Sequence, residues 1–199
     1  MLPDRIAEHY ERHAHAFDAA RRRNFVERDW LNRFLLAVRK DGHILDLGCG
    51  AGEPVGRYMI DKGYHLTGVD VSAKMIALSR TRFPRQIWLH TDMRRAVMSR
   101  NFDGILAWDS LFHFDHDDQA AMLTRMAGWL EPGGAILFNT GPARGEAIGH
   151  QFGEDIYHAS LAPFEYRALF DELGLMEIDF VPDDPHVGGR SVWFVRKGH

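Results

Sequence analysis

Apolar and polar positions along the chain change period several times, and each change marks an element. Residues 3 to about 20 place Ile6, Tyr10 and Phe17 on one helical face. Residues 24 to 39 repeat Val26, Trp30 and Phe34 every four positions beside Leu31, Leu35 and Val38, which predicts a second amphipathic helix. Short apolar runs then alternate with helical stretches. The expected order is strand 43–47, helix 53–62, strand 65–70, helix 72–82, strand 86–91, a loop and strand 102–107. Helix 116–130, strand 134–139, helix 163–173 and strands 175–181 and 191–196 follow. Such alternation predicts an α/β fold, a doubly wound, mostly parallel sheet with helices on both faces in three layers. The last two strands are joined by PDDPHVGGR, which is too short for a crossover helix, so they should pair antiparallel. The stretch from Gly141 to Glu154 shows no period and reads as an irregular lid.

Within this pattern, residues Ile44 to Pro54 read ILDLGCGAGEP, an apolar strand opening into glycines at every second position, Gly48, Gly50 and Gly52. Glycine has no Cβ and tolerates positive φ, so such a turn lets backbone approach a ligand closely. The spacing is not the G-x-G-x-x-G of dinucleotide binding. Asp46, two positions before the first glycine, disfavours a pyrophosphate and favours a cation such as the α-ammonium of an amino acid. Asp70 ends the second strand, where an acid can accept both hydroxyls of a ribose. Asp92-Met93 ends the third, where the acid can accept from an adenine amine while the next backbone N–H meets the ring. Acceptors for ribose, adenine and an ammonium, with no phosphate site, describe S-adenosylmethionine.

At these residues the chain resembles the class I S-adenosylmethionine-dependent methyltransferases. ILDLGCGAG matches their first motif, VDVS the segment after it, TDM their adenine segment, FDGILAWDSLFHF their fourth strand and LEPGGAILF the strand that follows. The register holds from about Arg39 to the C-terminus, and the likeness is strongest to the small-molecule branch that includes quinone-biosynthesis enzymes. The resemblance implies a Rossmann-like sheet of seven strands with an antiparallel final pair. It implies methyl transfer from S-adenosylmethionine to a small molecule, leaving S-adenosylhomocysteine, with no metal. It places Asp46, Gly48, Cys49, Gly50, Gly52, Asp70, Val71, Asp92, Met93, Ala107, Trp108 and Tyr10 around the cofactor, with the carbonyl of Ala107 or Trp108 accepting from its ammonium. One domain, 1–199, is expected. Its parts are a helical lid (1–40), a cofactor-binding core (41–140), a lid segment (141–162) and a C-terminal helix with its strand pair (163–199).

The catalytic candidates follow strand four and the lid: His113, Asp109 and His158. Histidine titrates near neutrality, so His113 is the first choice for a general base, and a wall histidine bonded to backbone is the alternative. Two metal-like patterns are discounted. His9 and His13 stand one turn apart with no third ligand apparent and read as a solvated helix face. His113 to Asp118 reads as a helix start, with Asp115 as N-cap. Cys49 supplies a small side chain to the turn.

Composition narrows the partners. A net charge of −4 and a pI near 6.3 argue against nucleic acid, and the basic runs Arg21–Arg23 and Arg94-Arg95 read as solvated surface. No apolar run approaches the roughly 20 residues of a bilayer span. A single cysteine and an N-terminus without a signal core point to the cytoplasm. Monomer and homodimer stay open. So do two other functions: a binding-only relative, and a nicotinamide oxidoreductase, although the loop spacing, Asp46 and a missing Tyr-x-x-x-Lys pair oppose the latter. RNA or protein methylation is opposed by the acidic charge and by AWDS standing where N-P-P-Y would be.

Overall fold

The structure is a computed structural model that describes residues 5–198. Five parallel strands form the framework: β1 (His43–Leu47), β2 (His65–Asp70), β3 (Ile87–His90), β4 (Phe102–Ala107) and β5 (Leu130–Thr140). With β8 (Leu175–Asp184) and β9 (Arg190–Lys197) they make a seven-stranded sheet in the order β3-β2-β1-β4-β5-β9-β8. β9 runs antiparallel to both neighbours, so it alone is reversed, as the short connection requires. That connection turns at Gly188 and Gly189, both at positive φ.

β1, β4 and β5 are buried along most of their length because helices cover both faces, while the edge strands β3 and β8 are largely not. Successive side chains divide between the faces. Leu45, Leu47 and Ile105 pack with α5 (His116–Trp129) and α6 (Pro163–Leu173) through Met122, Met126, Tyr166 and Phe170. Ile44 and Leu106 pack with α2 (Arg28–Ala37), α3 (Val55–Asp61) and α4 (Ala73–Arg82) through Leu31, Phe34, Met59 and Ile76. A Cβ at Gly104 would lie 2.7 Å from Phe34, so glycine there lets α2 close onto β4. No helix among the described residues is long and apolar enough to cross a membrane.

Helix α1 (Ile6–Arg21) begins inside the expected range, whose residues 3 and 4 lie outside the described ones. Its sparse apolar face, Ile6 and Ala14, is supplemented by polar fastenings. Asp18 takes the Arg82 guanidinium at 2.6 and 2.7 Å, and Glu11 accepts from Ser72 Oγ at 2.6 Å.

The segment expected to be irregular is instead a two-stranded hairpin, β6 (Gly145–Gln151) and β7 (Glu154–Ser160). It turns through Phe152 and Gly153, both at positive φ, the geometry that suits the twist of paired strands. Sequence concealed it because β6 is mostly exposed and carries two glycines, so no apolar alternation survives. β7 buries Ile156, Tyr157 and Ala159 against Ile6 of α1. The same contact corrects the reading of the α1 histidines. His9 is fully buried and bonds Glu154 and Gln151 of the hairpin, so it does not sit on a solvated face.

Trp193 on β9 is the largest fully buried side chain. It stacks on Phe180 with ring centres 3.8 Å apart, meets Tyr166 and Phe170, and donates to Thr140 Oγ1 at 3.0 Å. Trp193→Ala is expected to cost about 3–5 kcal/mol, read as a lower urea midpoint. A loss below about 1 kcal/mol would show that the reversed strand is not anchored there.

Candidate functional site

An open cleft of about 1110 Å³, counting solvent at its mouth, lies beyond the carboxyl ends of β1, β2 and β4, with α1 across it. The glycine turn forms its floor. Gly48 and Cys49 donate their N–H groups to Val69 O at 2.8 and 3.0 Å, which draws the turn back onto β2. Gly48 has a φ of +80°, and a Cβ there would lie 2.5 Å from Ser110 Cβ. Gly50 also has positive φ, but a Cβ on it would meet nothing within 4 Å, so the space it faces is free.

Asp70 braces this turn. Its Oδ2 accepts from Gly50 N and its Oδ1 from Ser72 N, both at 2.8 Å, and each oxygen keeps a lone pair. Loss of hydration raises its pKa, and those N–H donors pull it back. Asp46 is 4 % exposed, and no described residue donates a hydrogen bond to its carboxylate. Burial, then the charge of Asp70, lift its pKa to about 7. Asp92 lines the cleft too, but Arg94 holds both of its oxygens, at 2.7 Å from Nη2 and 3.0–3.2 Å from Nε, and keeps it ionised.

Tyr10, Cys49, Val71, Met93 and Trp108 also line the cleft. The Trp108 indole Nε1 is buried with no partner among the described residues. The Cys49 thiol is pushed well up by burial, so it is no thiolate. Gly52 does not line the cleft. A Cβ there would meet the Phe83 and Trp88 rings at 2.9 and 3.1 Å, so it serves packing of the turn. Ala107 is fully buried in the ladder opposite Phe138 and stays behind the wall.

The three catalytic candidates separate. Asp109 lines the cleft at a φ of +52°, but its carboxylate is clamped by Arg190 at 2.6 and 2.8 Å and receives Asn139 Nδ2 at 2.9 Å. A carboxylate so held fixes the β4 terminus to β9, with its oxygens taken up by Arg190 and Asn139. His158 does not line the cleft, and its ring stands 5.1 Å from that of His113. Burial lowers its pKa.

His113 sits in the wall on a 3₁₀ turn, Leu111–His113. Its Nδ1 lies 3.1 Å from Tyr157 O, which can only accept, so Nδ1 carries the proton and Nε2 accepts the Tyr10 hydroxyl at 2.9 Å. Burial brings its pKa down to about 4. Burial, with Asp109 and Asp70, pushes the Tyr10 phenol up, so both groups are neutral near pH 7.

Sequence reading missed Arg21. It belongs to a basic run that reads as surface, yet it lines the cleft, bonded to the buried Glu27, and its charge acts on Asp46. Helical phase could have found it, since Tyr10, Phe17 and Arg21 share one face. Around Asp115 no group of three potential ligands converges among the described residues. Asp115 caps α5 through Asp118 N at 2.9 Å, Asp118 pairs with Arg94, and His116 bonds Ser160 O.

Residues 44–134 match the family described as methyltransferase domain. Malonyl-[acyl-carrier protein] O-methyltransferase of Enterobacter lignolyticus is 29% identical over 139 residues, covering 68% of this chain and 50% of that protein. A dTDP-3-amino-3,6-dideoxy-alpha-D-glucopyranose N,N-dimethyltransferase of Streptomyces fradiae is 30% identical over 49% of this chain and 39% of its own. The chain spans about half the length of the curated relatives it matches. Among solved structures, an S-adenosylmethionine-dependent methyltransferase from Clostridium acetobutylicum superposes with a TM-score of 0.74 at 16% identity, covering 96% of this chain and 99% of that one. The Burkholderia thailandensis 1,6-didemethyltoxoflavin-N1-methyltransferase, with bound 1,6-didemethyltoxoflavin and S-adenosylhomocysteine, gives 0.76 at 18%, covering 98% and 88%. These likenesses establish the fold.

The burial of Asp46 has a consequence for stability. Its folded pKa lies above its unfolded one, so between about pH 4 and 7 the folded state holds the extra proton and stability falls as pH rises. Above pH 7 the penalty is complete. Asp46→Asn is therefore expected to stabilise the ligand-free protein at pH 8, by on the order of 2–4 kcal/mol, and to change it little at pH 4. Urea unfolding at both pH values checks this; equal effects at the two would remove the buried-carboxylate account.

Proposed function

We propose that this chain, whose residues 44–134 match the methyltransferase domain, moves a methyl group from S-adenosylmethionine to a small-molecule acceptor, releasing S-adenosylhomocysteine. The observation that carries this reading is Asp46, a buried carboxylate without a hydrogen-bond donor, facing the same cleft as Asp70 and Asp92. A ligand ammonium beside it would restore the ionised form that burial opposes. The remaining lone pairs of Asp70 suit ribose hydroxyls, Gly50 leaves room for close approach, and the unpartnered Trp108 Nε1 offers a donor.

When bound, the cofactor supplies a methyl group on a positively charged sulfur, which leaves readily. The protein then has to orient the acceptor, exclude water and, where the acceptor carries a proton, receive it. Tyr10, Phe17 and Arg21 of α1 line one side of the cleft and narrow its opening to solvent. His113 is the base in this reading: its Nε2 is unprotonated well below neutrality and accepts the Tyr10 hydroxyl, so the acceptor's proton reaches it by way of that hydroxyl. The same burial makes it a weak base, which suits an acidic acceptor such as a phenol better than an unactivated alcohol. Asp109 and Arg190 act as positioning residues that hold the end of β4. A single buried cysteine supports a reducing, cytoplasmic setting.

Binding and chemistry are tested separately. Asp70→Ala should weaken S-adenosylhomocysteine binding by about 1.5–3 kcal/mol in calorimetry, and unchanged affinity would remove the cofactor assignment. His113→Gln should lower turnover about 10²–10⁴-fold with that affinity kept. Because burial holds the His113 pKa near 4, wild-type turnover should not fall between pH 8 and 6 on its account. A drop with an apparent pKa near 6.5 would place the base elsewhere.

A further inference from the structure

Among the described residues, one group of potential metal ligands converges outside the cleft: His9, His13 and Glu154, whose donor atoms all lie within 4.8 Å of one another. The histidines stand one helical turn apart on the same face of α1, and the hairpin turn brings the carboxylate to them from 141 residues further along the chain. We propose that these three side chains bind one divalent transition-metal ion of the zinc class, with solvent completing the shell, and that the ion clips α1 to the hairpin.

The spacings fit. His9 Nδ1 is 3.1 Å from Glu154 Oε2, and His13 Nε2 is 3.0 Å from Glu154 Oε1. Ligand atoms about 2.0–2.1 Å from a tetrahedral zinc are themselves roughly 3.3 Å apart, so small rotations admit the ion. Two imidazoles and one carboxylate are donors of the right hardness for zinc, cobalt or nickel.

The orientation of His9 points the same way. Its Nε2 lies 3.1 Å from the amide oxygen of Gln151, which can only accept, so Nε2 carries a proton. Nδ1 is then left as a lone pair directed at a carboxylate oxygen, and that contact is repulsive unless a second proton or a metal lies between them. A ligating histidine whose other nitrogen donates to an oxygen is the usual support for a metal. His9 is fully buried, while His13 and Glu154 keep 22% and 28% of their side chains exposed, so the ion has a route in. Phe152 stacks on His13 with centres 5.2 Å apart and shields one side.

Arg12 is the competing cation. Its Nη2 reaches Glu154 Oε2 at 3.1 Å and its Nε lies 3.0 Å from Oε1, but it is 54% exposed and free to swing out. The arrangement therefore makes opposite demands on neighbouring residues, which a simple surface ion-pair cluster would not.

The test uses the full chain, stripped with chelator and titrated with zinc chloride by calorimetry at pH 7.5. One equivalent is expected at micromolar dissociation constant or tighter. His13→Ala and Glu154→Gln should each weaken it at least 30-fold, Gln151→Leu about 10-fold, and Arg12→Gln should tighten it. Circular dichroism confirms that each variant is folded, and no variant touches the cleft lining around Asp46. Cobalt in place of zinc should give the visible bands of a four-coordinate site, and zinc should slow hydrogen exchange in residues 6–21. Failure of the folded wild type to take up one equivalent overturns the proposal. Uptake that His13→Ala and Glu154→Gln leave unchanged does so as well, and the cluster is then a protonated histidine clip.

Discussion

The carboxylate of Asp70 ties together the parts on which the site depends. It sits at the end of β2, holds the Gly50 amide of the glycine turn and caps the backbone at Ser72, where α4 begins. A turn with three glycines at positive φ has little intrinsic preference for one shape, because glycine loses more freedom on folding than any other residue. One charge-assisted bond, from Gly50 N to Asp70, restricts it, together with the Gly48 and Cys49 amides on Val69 O. Burial raises the pKa of both acids, and the charge of Asp70 raises that of Asp46 further, against the pull of Arg21. Stability is thereby given up at a site ready for a cation, a pattern common at functional sites.

The second constraint is how α1 is held. A helix with few apolar contacts cannot be a core element, and here it is secured by Asp18–Arg82, Glu11–Ser72 and the His9–Glu154 cluster. The hairpin joins the same assembly, because Tyr157 supplies the carbonyl that orients His113 while Glu154 binds α1.

Sequence alone laid out the run of strands and helices and set Asp46, Asp70 and Asp92 at successive strand ends. Strand and helix periods, the glycine turn and the acids at successive strand ends are local features, set by residues a few positions apart, and a parallel sheet gathers all its strand ends on one edge. The reversed strand was legible too, since the short β8–β9 connection excludes a crossover, whereas the order β3-β2-β1-β4-β5-β9-β8 came from the fold. The tertiary structure decided what depends on partners far along the chain. It placed the Asp109 carboxylate on Arg190, 81 residues away, and so turned a free acid into a brace. It made a hairpin of a stretch without periodicity, and it took His9 from a polar helix face into full burial beside Glu154. Residue type states what a side chain can do; whether its lone pairs and charge remain free is a property of distant neighbours, and only the folded chain specifies those.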